Sequence, residues 1–220
     1  MKTQLKSGQI ILFIGDSITD CGRLEPQHRP LGCGYVQMIA DMLAVRDPEK
    51  QVHVINTGIG GNTLEDLRSC WIDDALSYRP DWLSIKIGIN DCNRWLSNES
   101  VLQSPEKFAE YYDELLALTV KSLPDTKLLF IDPFFAGLDE GQDLPDSYRS
   151  RVLKTLPRYL ETVNAMSAKY NTLHVRMHAG FQEHFKLQHP SRFFPNEPVH
   201  PNSAGQMLIA ESVYTALSAN

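Results

Sequence analysis

Short apolar runs of strand length alternate along this chain with longer segments in which apolar residues return at helical spacing. Residues 9–14, 51–56 and 82–87 read as three strands, and residues 127–131 and 173–175 complete five. Between the first two, apolar side chains at positions 35, 36, 38, 39, 42, 43 and 45 make the stripe of a helix over 35–45. The same period predicts helices over 108–120, 148–170 and 204–217, with Pro157 expected to kink or break the third. Residues 137–147, rich in Gly, Asp and Pro, read as a long surface loop. Strands that alternate with helices predict a parallel sheet covered on both faces, since parallel strands need crossover connections. No internal repeat, low-complexity tract or linker interrupts the pattern, so residues 1–220 are expected to form a single domain.

The first three strands each end in a short polar motif. Gly15-Asp16-Ser17 follows the first, Asn56-Thr57-Gly58-Ile59-Gly60-Gly61-Asn62-Thr63 the second, and Gly88-Ile89-Asn90-Asp91 the third. Open parallel sheets bind ligands beyond the carboxyl ends of their strands, where neighbouring connections leave to opposite faces. With strand order 2-1-3-4-5, the three motifs converge there. Far along the chain, Glu197-Pro198-Val199-His200-Pro201 places a histidine just ahead of the last helix. A serine and a distant histidine are the two ends of a nucleophile and base pair. Attack on a carbonyl also needs donors around the developing oxyanion, and the Ser17 amide, the Gly61 amide and the Asn90 carboxamide are candidates. Glycine at 61 suits that role, because the missing side chain lets backbone approach the substrate.

Charge and cysteine content narrow the class. The chain carries 21 Lys and Arg against 27 Asp and Glu, a net charge of −6, with no basic run, so nucleic acid is not an expected partner. No apolar stretch approaches the length of a membrane span, and the run 10–14 is too short for a signal-peptide core. Cys21, Cys33, Cys70 and Cys92 show no C-x-x-C spacing, which argues against a zinc site and a dense disulfide framework and favours reduced thiols in a cytoplasmic protein. His178, His184, His189 and His200 lie six, five and eleven residues apart, matching no compact metal-ligand set. No metal or organic cofactor is expected. Gly58-x-Gly60-x-x-Thr63 lacks the third glycine of the dinucleotide-binding fingerprint.

Asp16-Ser17-Ile18-Thr19, Gly61, Asn90-Asp91 and His200-Pro201 together resemble, in order and approximate spacing, the SGNH or GDSL hydrolases. The resemblance covers almost the whole chain. The longer string Ile14-Gly15-Asp16-Ser17-Ile18-Thr19-Asp20-Cys21-Gly22-Arg23 is most similar to the intracellular acetylxylan esterase branch. What it implies is a flavodoxin-like three-layer αβα sandwich on a five-stranded parallel sheet, carrying serine esterase chemistry. Ser17 is then the nucleophile, His200 the base, and Gly61 and Asn90 the oxyanion donors beside the Ser17 amide. The family usually has Asp three residues before the histidine, whereas this chain has Glu197. A Glu can accept the imidazole Nδ1–H in the same way; the competing readings are a solvated Glu197 with a backbone carbonyl orienting His200, or a catalytically weakened member of the family.

Other residues take functional and structural readings side by side. Asp16 is expected to cap the helix after the first strand, and Asp91 either to fix its loop or to touch substrate. Arg94 and Trp95 follow the third motif closely enough either to line the crevice, where an aromatic face and a guanidinium suit a sugar, or simply to pack at its rim. Phe194 either walls an acyl pocket or anchors the loop that leads to His200. The expected substrate is a small-molecule ester, an acetylated saccharide or xylo-oligosaccharide. The alternatives are a lysophospholipase or thioesterase acting on longer acyl chains, and a carbohydrate-binding or scaffold protein on a hydrolase fold. The oligomeric state stays open, a homo-oligomer included.

Overall fold

The computed structural model describes residues 2–137 and 147–219. Five strands, β1 (Ile10–Gly15), β2 (His53–Asn56), β3 (Trp82–Lys86), β4 (Lys127–Ile131) and β5 (Leu173–Val175), pair in parallel in the order β2-β1-β3-β4-β5. The registers tie Ile11 to Val54 on one side and to Trp82 on the other. In β1 and β3 nearly every residue is buried on both faces, which is why these segments read as continuous apolar runs.

Eight α-helices accompany the strands among the described residues: α1 (Ser17–Asp20), α2 (Tyr35–Arg46), α3 (Leu64–Asp74), α4 (Ile89–Leu96), α5 (Pro105–Ser122), α6 (Tyr148–Tyr170), α7 (Met177–Phe185) and α8 (Ser203–Ser218). The strand order reverses after β2, and right-handed crossovers then place α2 on the sheet face opposite α3, α5 and α6. The packing agrees: α2 lies against α8, while α3 packs on α5 and α5 on α6. The β1 and β3 connections therefore leave to opposite faces, and the crevice between them opens at their carboxyl ends.

The helices that periodicity indicated are present: α6 has the expected bounds, and α2, α5 and α8 extend the expected segments at one or both ends. Pro157 does not break α6, which runs unbroken from Tyr148 to Tyr170. Its buried side chains Val152, Leu156, Tyr159 and Val163 flank the proline on both sides, so tertiary packing holds both halves to one core. Helix α3 escaped notice although its signals are local. Leu64, Leu67 and Trp71 form its buried stripe, and Thr63 with Asp66 makes a reciprocal capping box at its start. The loop expected over 137–147 lies, apart from its two ends, outside the described residues. No described helix is long and apolar enough to cross a membrane.

Candidate active site

Strand β1 delivers Asp16 and Ser17 to the crevice, and the turn that follows is fixed from below. Asp16 caps α1, its Oδ1 accepting from the Ile18 N–H at 3.0 Å. The same carboxylate meets the ammonium of Lys86 at the end of β3, with Nζ 2.9 Å from Oδ2 and 3.2 Å from Oδ1. Both side chains are fully buried, and the Lys86 Nζ also lies 4.7 Å from the centre of the Phe134 ring. Sequence reading missed Lys86, which passes for one more strand residue. Burial lowers its ammonium below the ordinary lysine range, with Asp16 pulling the other way.

The segment after β2 is drawn alongside this turn, since the Thr57 and Ile59 amides donate to the Phe13 and Gly15 carbonyls at 2.9 and 3.0 Å. Asp20 Oδ2 then accepts from the Gly60 N–H at 3.1 Å. Gly61 is exposed at φ +83°, a conformation that side-chain-bearing residues rarely adopt, and a Cβ there would meet open space. Glycine is thus required at 61 by backbone conformation, with close approach an added property. Its N–H makes no hydrogen bond with the described residues. Ser17 is the first residue of α1, so its amide has no carbonyl one turn earlier.

Asn90 and Asp91 open α4. Asn90 Nδ2 donates to the Asn62 carbonyl at 3.0 Å, Arg94 Nη2 donates to the Gly61 carbonyl at 3.0 Å, and Asp91 Oδ1 accepts from the Leu64 N–H at 2.9 Å. Three hydrogen bonds thus lock α4 to the segment carrying Gly61. Arg94 also lies 3.6 Å from Asp66 and is largely engaged in positioning. Trp95 is half-buried at the far end of α4. If the Asn90 carboxamide stabilises an oxyanion, Asn90→Ala is expected to lower kcat by roughly 10²–10³-fold with KM little changed. Turnover within threefold of wild type on p-nitrophenyl acetate would contradict that role.

Asp91 is 1% exposed, and its Oδ2 has no hydrogen-bond partner among the described residues. Burial raises its carboxyl to about 7, while the Leu64 amide pulls it down. The folded protein therefore holds this proton more tightly than the unfolded chain, where an aspartate titrates near about 3.9. The associated stability is complete below about pH 4 and is lost as pH rises through about 7. Asp91→Asn cannot ionise and keeps an acceptor for Leu64. Between about pH 5 and pH 8 its Tm is expected to fall less than that of wild type. Equal losses by differential scanning calorimetry would show that Asp91 does not titrate in this way.

The histidine arrives from the other end of the chain. Ser17 Oγ and His200 Nε2 are 2.7 Å apart, and His200 Nδ1 lies 2.6 Å from Glu197 Oε1. Glu197 also accepts the backbone amides of its own turn, His200 N–H at 2.6 Å on Oε1 and Val199 N–H at 2.8 Å on Oε2. The carboxylate is held by the loop it belongs to, with no free swing into solvent. Phe193 and Phe194 are buried, and Phe194 packs against Phe134, Phe181 and Phe185. This cluster anchors the segment bearing Glu197 and His200. Tyr148, 43% exposed, was not expected here. Its hydroxyl donates to Asn93 Oδ1 at 2.6 Å, and after burial and Cys92 the Glu197 charge helps raise its phenol. Among the described residues, no group of three or more His, Cys, Asp or Glu could hold a metal ion.

A carboxylate, an imidazole and a hydroxyl in hydrogen-bonded series at a parallel-sheet switch point form the arrangement that a serine hydrolase uses. Residues 13–208 match the GDSL-like Lipase/Acylhydrolase family, and the chain belongs to that family. It is 34% identical to an acetylxylan esterase of Geobacillus stearothermophilus over 95% of this chain and 94% of that protein. The crystal structure of Axe2, an acetylxylan esterase from the same organism, superposes with a TM-score of 0.85 at 30% identity, covering 100% of this chain and 98% of that one. Catalytic mutants of Axe2 with a serine, an aspartate or a histidine replaced by alanine superpose equally well, with TM-scores of 0.85. An α/β-hydrolase enzyme from the metagenome of Lake Arreo, LAE5, has a TM-score of 0.84 at 27% identity, covering 97% of this chain and 96% of that one.

Proposed function

We propose that this esterase removes acetyl groups from small acetylated saccharides of the xylo-oligosaccharide kind, with Ser17, His200 and Glu197 as its triad. The observation that carries the proposal is the relay from Glu197 through His200 to Ser17, closed at 2.6 and 2.7 Å. His200 Nε2 takes the Ser17 proton as Oγ bonds to the ester carbonyl carbon, and the carbonyl π electrons move onto oxygen. The Ser17 amide, the Gly61 amide and an Asn90 Nδ2–H stabilise that oxyanion. The intermediate collapses, the C–O bond to the sugar breaks, and His200 returns the proton to the leaving alcohol. Water then attacks the acetyl-enzyme with His200 again as base, releasing acetate and restoring the Ser17 hydroxyl. Glu197 keeps Nδ1 protonated and stabilises the imidazolium in both halves.

The saccharide part of the reading is supported by the identity to the acetylxylan esterase, which spans nearly the full length of both chains. The half-buried Trp95 of α4 and the exposed Tyr148, whose hydroxyl donates to Asn93 of the same helix, offer aromatic surface for a sugar. One sheet and one continuous apolar core support a single catalytic domain. Four unbridged cysteines suit a reducing compartment such as the cytoplasm. Turnover of p-nitrophenyl acetate, octanoate and palmitate, alongside acetate release from acetylated xylo-oligosaccharides, tests the substrate. The acetate ester and the oligosaccharide are expected to be preferred. A preference for octanoate or palmitate would overturn the acetyl reading, and failure of a serine-directed phosphonate to label Ser17 would overturn the triad.

A further inference from the structure

Cysteines 21 and 33 stand twelve positions apart in sequence, yet their sulfurs are 3.6 Å apart in the folded chain. The Cys33 N–H donates to the Cys21 carbonyl at 2.9 Å, and the Cys33 thiol lies 3.3 Å from the same oxygen. That contact is built into the backbone. A Cβ at Gly34 would come within 2.8 Å of both the Cβ and the Sγ of Cys21, so only glycine lets the two strands of chain approach this closely. Cys33 is exposed and Cys21 is partly buried beneath it. Cys70 and Cys92 belong to α3 and α4, away from this turn.

We propose that Cys21 and Cys33 form a dithiol that small-molecule disulfides oxidise to an intramolecular disulfide, and that this modification reaches the catalytic turn. The exposed Cys33 reacts first. It loses its proton to solvent and its thiolate attacks one sulfur of R–S–S–R, forming a Cys33 mixed disulfide and expelling RS⁻. Cys21 then gives up its proton, attacks the Cys33 Sγ and expels the second RS⁻. Two protein thiols are oxidised and one external disulfide is reduced to two thiols. Burial pushes the Cys21 thiol up to about 12, which leaves the first attack to the exposed Cys33, while the 3.6 Å between the sulfurs places Cys21 for the second. Closing the sulfurs from 3.6 Å to the about 2.05 Å of a disulfide needs side-chain rotation and a small shift of the turn.

The coupling follows from where Cys21 sits. It ends α1 in the left-handed conformation at φ 41°, and its N–H donates to the Ser17 carbonyl at 2.9 Å. Its sulfur accepts from Gln206 Nε2 of α8 at 3.7 Å, and Gln206 Oε1 holds the Tyr35 N–H at 3.0 Å. Helix α8 begins three residues after His200. Cys21 therefore touches both the turn that carries the serine and the helix that follows the histidine. Drawing its sulfur toward Cys33 pulls it away from Gln206 and loads the Ser17 turn.

The chemical half of the inference is independent of the esterase reading, whereas the catalytic half rests on it. The full chain is incubated with oxidised glutathione and followed by intact mass, peptide mapping and p-nitrophenyl acetate turnover. The expected result is loss of two hydrogens, a cross-link between the Cys21 and Cys33 peptides, and a fall in kcat of about tenfold that dithiothreitol reverses. Cys33→Ser should keep basal turnover, form no bridge and lose no activity under the same treatment. An unchanged mass, or a glutathione adduct that persists on Cys33, would overturn the dithiol. A bridge that leaves kcat unchanged would overturn the coupling, as would equal inactivation of Cys33→Ser. Absence of turnover before any treatment would instead reject the esterase reading, and the mass readout would still judge the bridge.

Discussion

Glu197→Gln is expected to lower kcat by about 10³–10⁴-fold while KM changes little, because the loss falls on the transition state in which His200 is charged. Glu197 accepts the His200 Nδ1–H and the His200 backbone amide on Oε1, and the Val199 amide on Oε2. A carboxamide cannot reproduce this pattern. With its oxygen toward His200, its NH₂ faces the Val199 N–H; turned the other way, the NH₂ faces two donors of His200. Either orientation puts donor against donor, and neither supplies the negative charge that stabilises an imidazolium. Glu197→Asp keeps the charge on a side chain one methylene shorter and is expected to retain more activity than the Gln variant. Measured by p-nitrophenyl acetate turnover, near-normal activity in Glu197→Gln would remove Glu197 from the triad. The relay would then depend on His200 and Ser17 alone.

Lys86→Met is expected to cost about 3–5 kcal/mol of folding stability, because it strands the Asp16 carboxylate in the core. Both partners are fully buried, and Asp16 spends its Oδ1 on the Ile18 amide as well as on Lys86. Without the ammonium, Asp16 must either remain an uncompensated charge or take up a proton, and protonation weakens its grip on the start of α1. Turnover is expected to fall too, since that cap holds the serine turn. Adding Asp16→Asn to Lys86→Met removes the stranded charge, so the double variant should be more stable than Lys86→Met alone. Urea unfolding of wild type, the two single variants and the double variant measures the coupling. Additive losses would mean that the pair contributes no mutual stabilisation.

The elements that periodicity revealed were those whose burial follows their own repeat. β4 and β5 appear at the expected bounds, and α2, α5 and α8 extend the expected helices at one or both ends. Alternating strands and helices pointed to a parallel sheet, whereas the 2-1-3-4-5 order came with the flavodoxin-like fold that the family resemblance implies, and the structure has that order. Pro157 misled because its helix penalty is local, whereas the packing of α6 on both sides of it is not. Helix α4 was hidden behind the chemistry of Gly88-Ile89-Asn90-Asp91, a segment read as a motif and not as the first turn of a helix.

Within the site, residue type and order made Ser17 and His200 a candidate nucleophile and base and Gly61 and Asn90 candidate donors, because the chemistry of acyl transfer restricts which side chains can serve, while Glu197 was singled out by the resemblance to the SGNH hydrolases. Distance was left to the tertiary structure. Whether Glu197 reaches His200 depends on a three-residue turn pinned by two backbone amides and by the phenylalanines ahead of it. Lys86 and Cys33 were illegible for the same reason. A lysine in a strand and an exposed cysteine in a loop carry no local signal, since their partners, Asp16 and Cys21, are brought beside them by the parallel pairing of β1 with β3 and by the return of the chain to the end of α1. The sequence by itself determined the strands, the principal helices and the chemical types at the crevice, since each depends on near neighbours or on a residue's own functional group. Only the tertiary structure decided which charges and thiols meet beneath the serine, because those meetings depend on contacts between residues far apart in the chain.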